Sequence, residues 1–274
     1  MATSDAPLEI GHVALTVRDL PAVGAFYQAA LGLQPLSQDG ETLRLGAGDR
    51  LLLELRHDPA VRPASPREAG LFHTAFLLPT RADLGRWLAH AAETGLRLQG
   101  ASDHLVSEAV YLADPEGNGI EVYVDRPRAD WPMTAGGLQM ASDPMDHAGV
   151  LAAAGGSRWA GIPAGSVVGH VHLQVGALDA AEAFYAGTLG MALTVRYPGA
   201  HFFGAGGYHH HFGTNIWNSR GAGRRASGGT GLAEVGLRAG PAELAAIAAR
   251  AGVAAEGPLA LQDPWGTAIT VAAK

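Results

Sequence analysis

An α+β chain built from four βαβββ modules is what the sequence predicts, and three observations carry the prediction. First, "IGHVALTVRDLPAVGAFYQAALGL" from Ile10 aligns without a gap on "VGHVHLQVGALDAAEAFYAGTLGM" from Val168. His12 then falls on His170, Phe26 and Tyr27 on Phe184 and Tyr185, and Gly32 on Gly190. Second, "GLFHTAFLLPTRADLGRWLAHAAETGLRL" from Gly70 aligns with "GLAEVGLRAGPAELAAIAARAGVAA" from Gly231, and these stretches lead to "ADPEGNGIEVYV" and "QDPWGTAITVA". Third, each stretch opens on a short alternating apolar run, which reads as a strand, and continues into a helix-like segment. Self-similarity at a fixed offset marks a repeated structural unit.

In module one the strand from Ile10 is followed by a helix opened by Asp19, then by strands near "TLRLGA" and "LLLELR". An Asp or Thr ahead of an apolar-periodic segment is a helix start, because its side chain can accept from free backbone N–H groups. Module two has its helix opened by Thr80 and ends in the strand "GIEVYV" behind the turn "DPEGNG". Arg126 to Ser166 is rich in Pro, Gly and Ala, with one helix-like piece near Asp143 to Ala154, and reads as a linker. Module three opens its helix at Asp179 and is expected to carry "GAGGYHHHFGTNIW", Gly204 to Trp217, on its last strand; module four opens its helix at Gly240. The expected domains are therefore residues 8–126 (modules one and two), 127–166 (linker with a short helix) and 167–274 (modules three and four). A length of 274 residues suits two units that each bury a core.

Composition narrows the chemistry. The absence of cysteine excludes disulfides, thiolate catalysis and thiolate metal sites, so any metal must be held by nitrogen and oxygen. A formal charge of -7 without a concentrated basic block argues against nucleic acid as a partner, since phosphate contacts need clustered Lys and Arg. The basic spot "RGAGRR" at Arg220 to Arg225 reads as a solvated loop. The start "MATSDAPLEI" lacks the features of a secretion signal, and no later segment approaches a membrane span. A cytoplasmic protein with no membrane partner is expected, and a homo-oligomer is compatible with the sequence.

This arrangement of modules resembles the vicinal-oxygen-chelate superfamily, which includes glyoxalase I, bleomycin-resistance proteins and type I extradiol dioxygenases. The resemblance covers nearly the whole chain apart from the linker. It implies two cupped mixed sheets, each made by a pair of modules, with a metal in the cup. It also implies ligands from the first strand of one module and from the first and last strands of its partner. The positions matching that pattern are His12, His73, His170 and Glu121. Two imidazoles and one carboxylate leave coordination positions open and suit a non-haem Fe(II) oxygenase, and Mn(II) accepts the same donors. A lone histidine on a strand is more often structural; His and Glu together at repeat-defined positions point to a metal. Module four has Glu234 where module two has His73, and Thr270 where it has Glu121, so one metal per chain is expected.

Two pairings could build that site: His12, His73 and Glu121 from modules one and two, or His170, His73 and Glu121 from modules two and three. In type I extradiol dioxygenases the module donating the first histidine also carries an acid/base histidine behind a turn. "GGYHHHFG" occupies that place in module three, whereas module one has "GDRLLLELR" there, with only His57 at its far end. The resemblance therefore favours His73, Glu121 and His170, with His12 as the substitute for His170. Setting the two glycines against the family's turn puts His210 at the acid/base position. Strand alternation then turns His209 and His211 to the other face, and a one-residue bulge would exchange the faces. His172 shares the face of His170 and is expected behind the ligands or packed. Tyr111, ten residues before Glu121, stands where the family has an active-site tyrosine, though tyrosine also suits a strand core. His104 lies near the family's other histidine, with a spacing that departs by a couple of residues.

The activity implied is extradiol ring cleavage of a small catechol-type aromatic diol by O2. Glyoxalase-like lyase or isomerase chemistry normally uses two carboxylates, and the chosen pair of modules offers one. A non-catalytic binding protein of the bleomycin-resistance type would leave His73, Glu121 and His210 unexplained as a group.

Overall fold

The computed structural model describes residues 6–226, 228–254 and 256–274. Met1 to Asp5, part of the stretch read for a leader, lie outside the described residues. Module one comprises β1 (Leu8–Val17), α1 (Leu20–Leu31), β2 (Gln34–Asp39), β3 (Thr42–Ala47) and β4 (Arg50–His57). Module two comprises β5 (Gly70–Leu77), α2 (Arg81–Glu93), β6 (Leu98–Asp103), β7 (Ser107–Ala113) and β8 (Gly119–Asp125). The connection holds a two-strand ladder of β9 (Met133–Thr134) and β10 (Gly137–Leu138), then α3 (His147–Ala153). Module three comprises β11 (Val167–Gln174), α4 (Leu178–Glu182) running on into a π-helical turn at Ala183–Thr188, β12 (Ala192–Tyr197), β13 (Ala200–Gly204) and β14 (Phe212–Asn215). Module four is shorter, with β15 (Gly231–Ala239), α5 (Pro241–Ala251), β16 (Leu259–Gln262) and β17 (Ala268–Ala273) among the described residues.

Helix boundaries follow the expected caps except in module three. Asp19 accepts from Ala22 N–H at 2.9 Å and Thr80 caps Asp83. In module three the helix begins two residues early: Ala177 is the cap and Asp179 lies in the first turn, where its carboxylate suits the positive end of the helix. The repeat-related Gly32 and Gly190 have φ of 69° and 76°, a left-handed conformation costly for other residues. The repeated tyrosines have a physical reason as well. Tyr27 donates to Asp114, and Tyr185 to Asp263, each aspartate heading the "DPEGNG" or "DPWGT" turn of the following module. Asp114 accepts from Glu116 and Asn118 N–H, and Asp263 from Trp265 and Thr267 N–H. One motif thereby fastens each helix to the last-strand turn of its neighbour.

The strands make two mixed sheets, ordered β16-β17-β15-β1-β4-β3-β2 and β12-β13-β14-β11-β5-β8-β7-β6. Each sheet takes one module from each half of the chain: modules one and four in the first, two and three in the second. The halves 8–126 and 167–274 are thus not the units within which strands pair. First strands meet antiparallel across the halves, β1 with β15 and β11 with β5. Within a half the helices hold together, as where Trp87 Nε1 donates to the Ala30 carbonyl at 2.9 Å. One face of the eight-stranded sheet packs Phe76, Val110 and Val122 into the main core. Its other face carries Ala75, Leu77, Ala109, Tyr123 and Val167, with Tyr111 packed beside them. Among the described residues no helix is long and apolar enough to cross a membrane.

Candidate metal centre

β5 lies in the middle of the eight-stranded sheet, between β11 and β8. Its Ala75 is registered with His170 on one side and Glu121 on the other. The row His170, Ala75, Glu121 therefore crosses three strands, with the outer Cα atoms roughly 10 Å apart. Because Ala75 has only a methyl group, the flanking side chains can lean over it and meet. His73, two residues earlier on the same strand, shares that face. The result is a compact trio: Glu121 Oε2 is 3.0 Å from His73 Nε2 and 3.2 Å from His170 Nε2. One ligand atom from each of the three lies within 4.8 Å of the others. His73, Glu121 and His170 are 6 %, 2 % and 2 % exposed, so bulk water cannot satisfy them.

The donor set fits a cation. Although His73 Nε2 approaches Glu121 closely, its geometry makes no hydrogen bond, and among the described residues this buried nitrogen has no other partner. A buried polar atom left unpaired costs about 1–3 kcal/mol, which an ion shared by the three atoms would relieve. Burial holds His170 down to about 4, so near neutral pH the ring is uncharged and has a lone pair to give. Burial alone would raise the Glu121 carboxyl, but His170 and His73 outweigh it and hold it well below its usual range.

His12, expected as the substitute for His170, is not brought to this group. It stands on β1 in the other sheet, opposite Gly236, where an added Cβ would lie 2.2 Å from the imidazole. The module pairing explains this, since β1 neighbours β15 and β4 and never β5.

The trio forms the floor of a cavity of about 370 Å³. His210, Tyr111, His104 and His172 also line it. Tyr111 is registered with Glu121, which extends the ligand row onto β7. Burial and then Glu121 push the Tyr111 hydroxyl well above its ordinary value, so it stays a donor. His104 Nδ1 donates to the Ala141 carbonyl at 2.6 Å, leaving Nε2 to accept from Tyr111 OH at 2.6 Å. Beside it, Leu105 has φ 68°, the sole positive value at a non-glycine position among the described residues. Leu105 lies in the tight turn between β6 and β7 that carries His104. His172 lies against His73, with ring centroids 4.9 Å apart, and its buried Nε2 has no hydrogen-bond partner among the described residues. Gly213, registered with His172, leaves room for that ring.

The histidine run differs from the expected strand. β14 begins only at Phe212, so His209, His210 and His211 lie in the irregular segment before it, and strict alternation does not govern them. His210 lines the cavity with its ring 4.1 Å from that of His170. His209 does not turn to the opposite face: its Nδ1 meets His210 Nδ1 at 2.7 Å. The His211 ring accepts from Ala205 N–H at 3.2 Å and fastens the glycine turn. Burial, more than any neighbouring charge, holds His172 and His210 well below their ordinary value.

Several cavity residues were not reached from the sequence. Met140, Ala141 and Ser142, from the segment read as a linker, form part of the wall. Phe72, Phe202 and Trp217 form the aromatic side, with the Phe72 ring 5.5 Å from that of Trp217. Nothing in the linker's composition signals a wall. Phe72 is adjacent to His73, but on a regular strand it would face away.

The buried histidines make stability pH-dependent. His170 is held to about 4 and His211 to about 3, both first by burial, against 6.5 in the unfolded chain. Folded values below unfolded values mean that the unfolded chain binds the extra protons. Stability is therefore complete above about pH 6.5 and is lost as pH falls toward 4. At pH 5 these two residues withdraw on the order of 4 kcal/mol from the metal-free protein. Urea unfolding at pH 7.5 and 5.0 measures this, and an unchanged midpoint would contradict the uncharged, buried state of the two rings.

Comparison with known proteins agrees with this architecture. The sequence model of the Glyoxalase/Bleomycin resistance protein/Dioxygenase superfamily matches residues 9–122 and 167–268. A catechol-2,3-dioxygenase of Bacillus subtilis (strain 168) is 42% identical over 228 residues, covering 81% of this chain and 80% of its own length. Biphenyl-2,3-diol 1,2-dioxygenase 3 of Rhodococcus globerulus is 27% identical over 119 residues, 42% of this chain and 63% of its own length. The crystal structure of glyoxalase I from Zea mays superimposes with a TM-score of 0.57 at 14% identity, covering 99% of this chain and 94% of that one. At that identity the last likeness speaks for the fold alone.

Proposed function

The chain belongs to the Glyoxalase/Bleomycin resistance protein/Dioxygenase superfamily, and from that premise we propose that it is an extradiol ring-cleaving dioxygenase acting on a catechol-type diol with O2. The observation that carries this reading is the buried trio of two imidazoles and a single carboxylate on the floor of an aromatic-walled cavity. The 42% identity to a catechol-2,3-dioxygenase supports it.

His73, Glu121 and His170 would hold the metal, Fe(II) first and Mn(II) as the other ion suited to these donors. When bound, the metal supplies Lewis acidity toward the two vicinal oxygens and the electron transfer that dioxygen chemistry requires. His210, uncharged in its buried position, is suited to take a phenolic proton and return it later as general acid. Tyr111, its proton given to His104 Nε2, would present hydroxyl lone pairs at the edge of the same floor and could accept there. Phe72, Phe202 and Trp217 would offer an aromatic ring an apolar side wall. Overall, the carbon–carbon bond beside the two hydroxyl-bearing carbons breaks, and both oxygen atoms of O2 enter the ring-opened product.

The walls also support a substrate class. Among the described residues no Lys or Arg lines the cavity, and Glu121 is its one carboxylate. A charged substituent would be buried without a partner, at a cost of several kcal/mol. The substrate is therefore a catechol bearing an uncharged, apolar substituent. With protein loaded anaerobically with Fe(II) and then exposed to air, 3-methylcatechol should yield a yellow ring-fission product. Its kcat/KM should exceed that of 2,3-dihydroxybenzoate by at least about 100-fold. No iron uptake and no product from any catechol would end the dioxygenase reading, whereas equal rates on both substrates would end only the assignment of class.

A further inference from the structure

We propose that Asp125 and His209 are positioning residues that fix the tautomer of His210, so that its Nε2 presents a lone pair to the cavity. The inference rests on the dioxygenase reading only for its kinetic consequence; the tautomer itself is a property of this chain.

Three hydrogen-bonded groups stand in a line. His209 Nε2 lies 2.9 Å from Asp125 Oδ1, and His209 Nδ1 lies 2.7 Å from His210 Nδ1. A carboxylate oxygen can only accept, so the proton of this first bond sits on His209 Nε2. A ring with one proton, placed there, must accept at Nδ1. His210 therefore donates from its own Nδ1, and its Nε2 is left unprotonated. Nearest-neighbour bonding sets the tautomer one ring at a time, as hydrogen-bond partners do for histidines in general.

The line is built from parts that serve the candidate site already. Asp125 is the last residue of β8, four positions beyond Glu121 on the same face, with Tyr123 between them. The two histidines come from module three, so the line crosses the same junction as the trio. His209 can reach His210 because both precede β14 and escape its alternation. The remaining contacts hold the line still. Tyr208 OH donates to Asp125 Oδ1 at 3.2 Å and meets Tyr123 OH at 2.8 Å. Trp131, anchored through its Nε1 to the Arg126 carbonyl at 2.9 Å, lies with its ring 5.1 Å from that of His209. His209 is fully buried, so no water replaces either partner. Were Asp125 and His209 mere packing, a line of this order, ending at the cavity-lining histidine, would have no reason to form.

Two measurements test the proposal. Long-range ¹H–¹⁵N spectra of the ¹⁵N-histidine-labelled, metal-free full chain, assigned with His209→Asn and His210→Gln, report the tautomers without any turnover. Wild-type His210 should be protonated at Nδ1, and Asp125→Asn should abolish that single tautomer. A His210 proton on Nε2 in wild type, or a tautomer unmoved by Asp125→Asn, overturns the proposal. In Fe(II)-loaded protein with 3-methylcatechol, Asp125→Asn and His209→Leu should lower kcat by at least tenfold, with KM and bound iron within twofold. His209→Asn, whose side-chain oxygen can accept in place of Nδ1, should recover most of that loss. Unchanged kcat in both damaging variants, or equal losses in His209→Leu and His209→Asn, also overturns it. A wild type that shows the expected tautomer but cleaves no catechol defeats the dioxygenase reading and leaves the positioning role intact.

Discussion

His170→Ala protein, loaded anaerobically with Fe(II), is expected to bind iron at least about 100-fold more weakly than wild type and to lose ring cleavage, while His12→Ala keeps both. Loss of a partner behind a ligand already costs 10–100-fold in metal affinity, and loss of a ligand should cost no less. The contrast with His12 is the informative half, since the two histidines are equivalent in the repeat. What separates them is the company each sheet provides. Around His12 the carboxylates are already neutralised: Arg56 bonds Glu54 at 2.7 Å and Glu234 at 2.8 Å, and Arg44 bonds Glu54 at 2.8 Å. Thr270 OH donates to Glu234 at 2.5 Å. Guanidinium groups of the chain itself occupy the electrostatic role that an ion would take in the other sheet. Removing the His12 ring should therefore cost about 1–2 kcal/mol of stability and no iron. Iron quantified after desalting decides the matter; iron retained by His170→Ala, or lost by His12→Ala, would reassign the site.

Much of this was legible in the sequence because the repeat turned single residues into equivalent positions. His12 against His170, and the turn aspartates against each other, gave the modules, their order and the short list of candidate ligand positions. That His210 would turn toward the cavity was legible from the glycine turn, although strand alternation does not account for its orientation, because the chain is irregular there. Which modules pair was harder. A sequence shows strands but not their neighbours, and pairing across the halves depends on how first strands meet antiparallel, a long-range choice without local signature. The Asp125–His209 contact was hidden for the same reason, its partners being 84 residues apart. The cavity wall from Met140 to Ser142 was hidden differently, because a Pro/Gly-rich stretch announces irregular backbone and says nothing of what that backbone covers.

The least visible determinant of the site has no polar atom, and it yields the second large effect. Ala75→Leu is expected to weaken Fe(II) binding by more than about 100-fold without altering a ligand, whereas Ala75→Ser leaves binding near wild type. Ala75 is fully buried at the centre of the row joining His170 to Glu121. Two strand spacings separate those residues, so their side chains converge only by closing over the methyl group between them. A leucine fills that space from below. The sheet cannot yield, because its opposite face packs Phe76 and Val122 into the main core; relief must come from His170 and Glu121 moving apart. Metal sites tolerate displacements of about 0.2 Å, far less than the width of the added carbons. Overpacking should cost about 1–3 kcal/mol, which separates lost binding from lost folding. A cooperative melt of metal-free Ala75→Leu, together with iron titration, tests the argument. Wild-type affinity in that variant would mean that His73, Glu121 and His170 do not share one ion, however close their atoms lie.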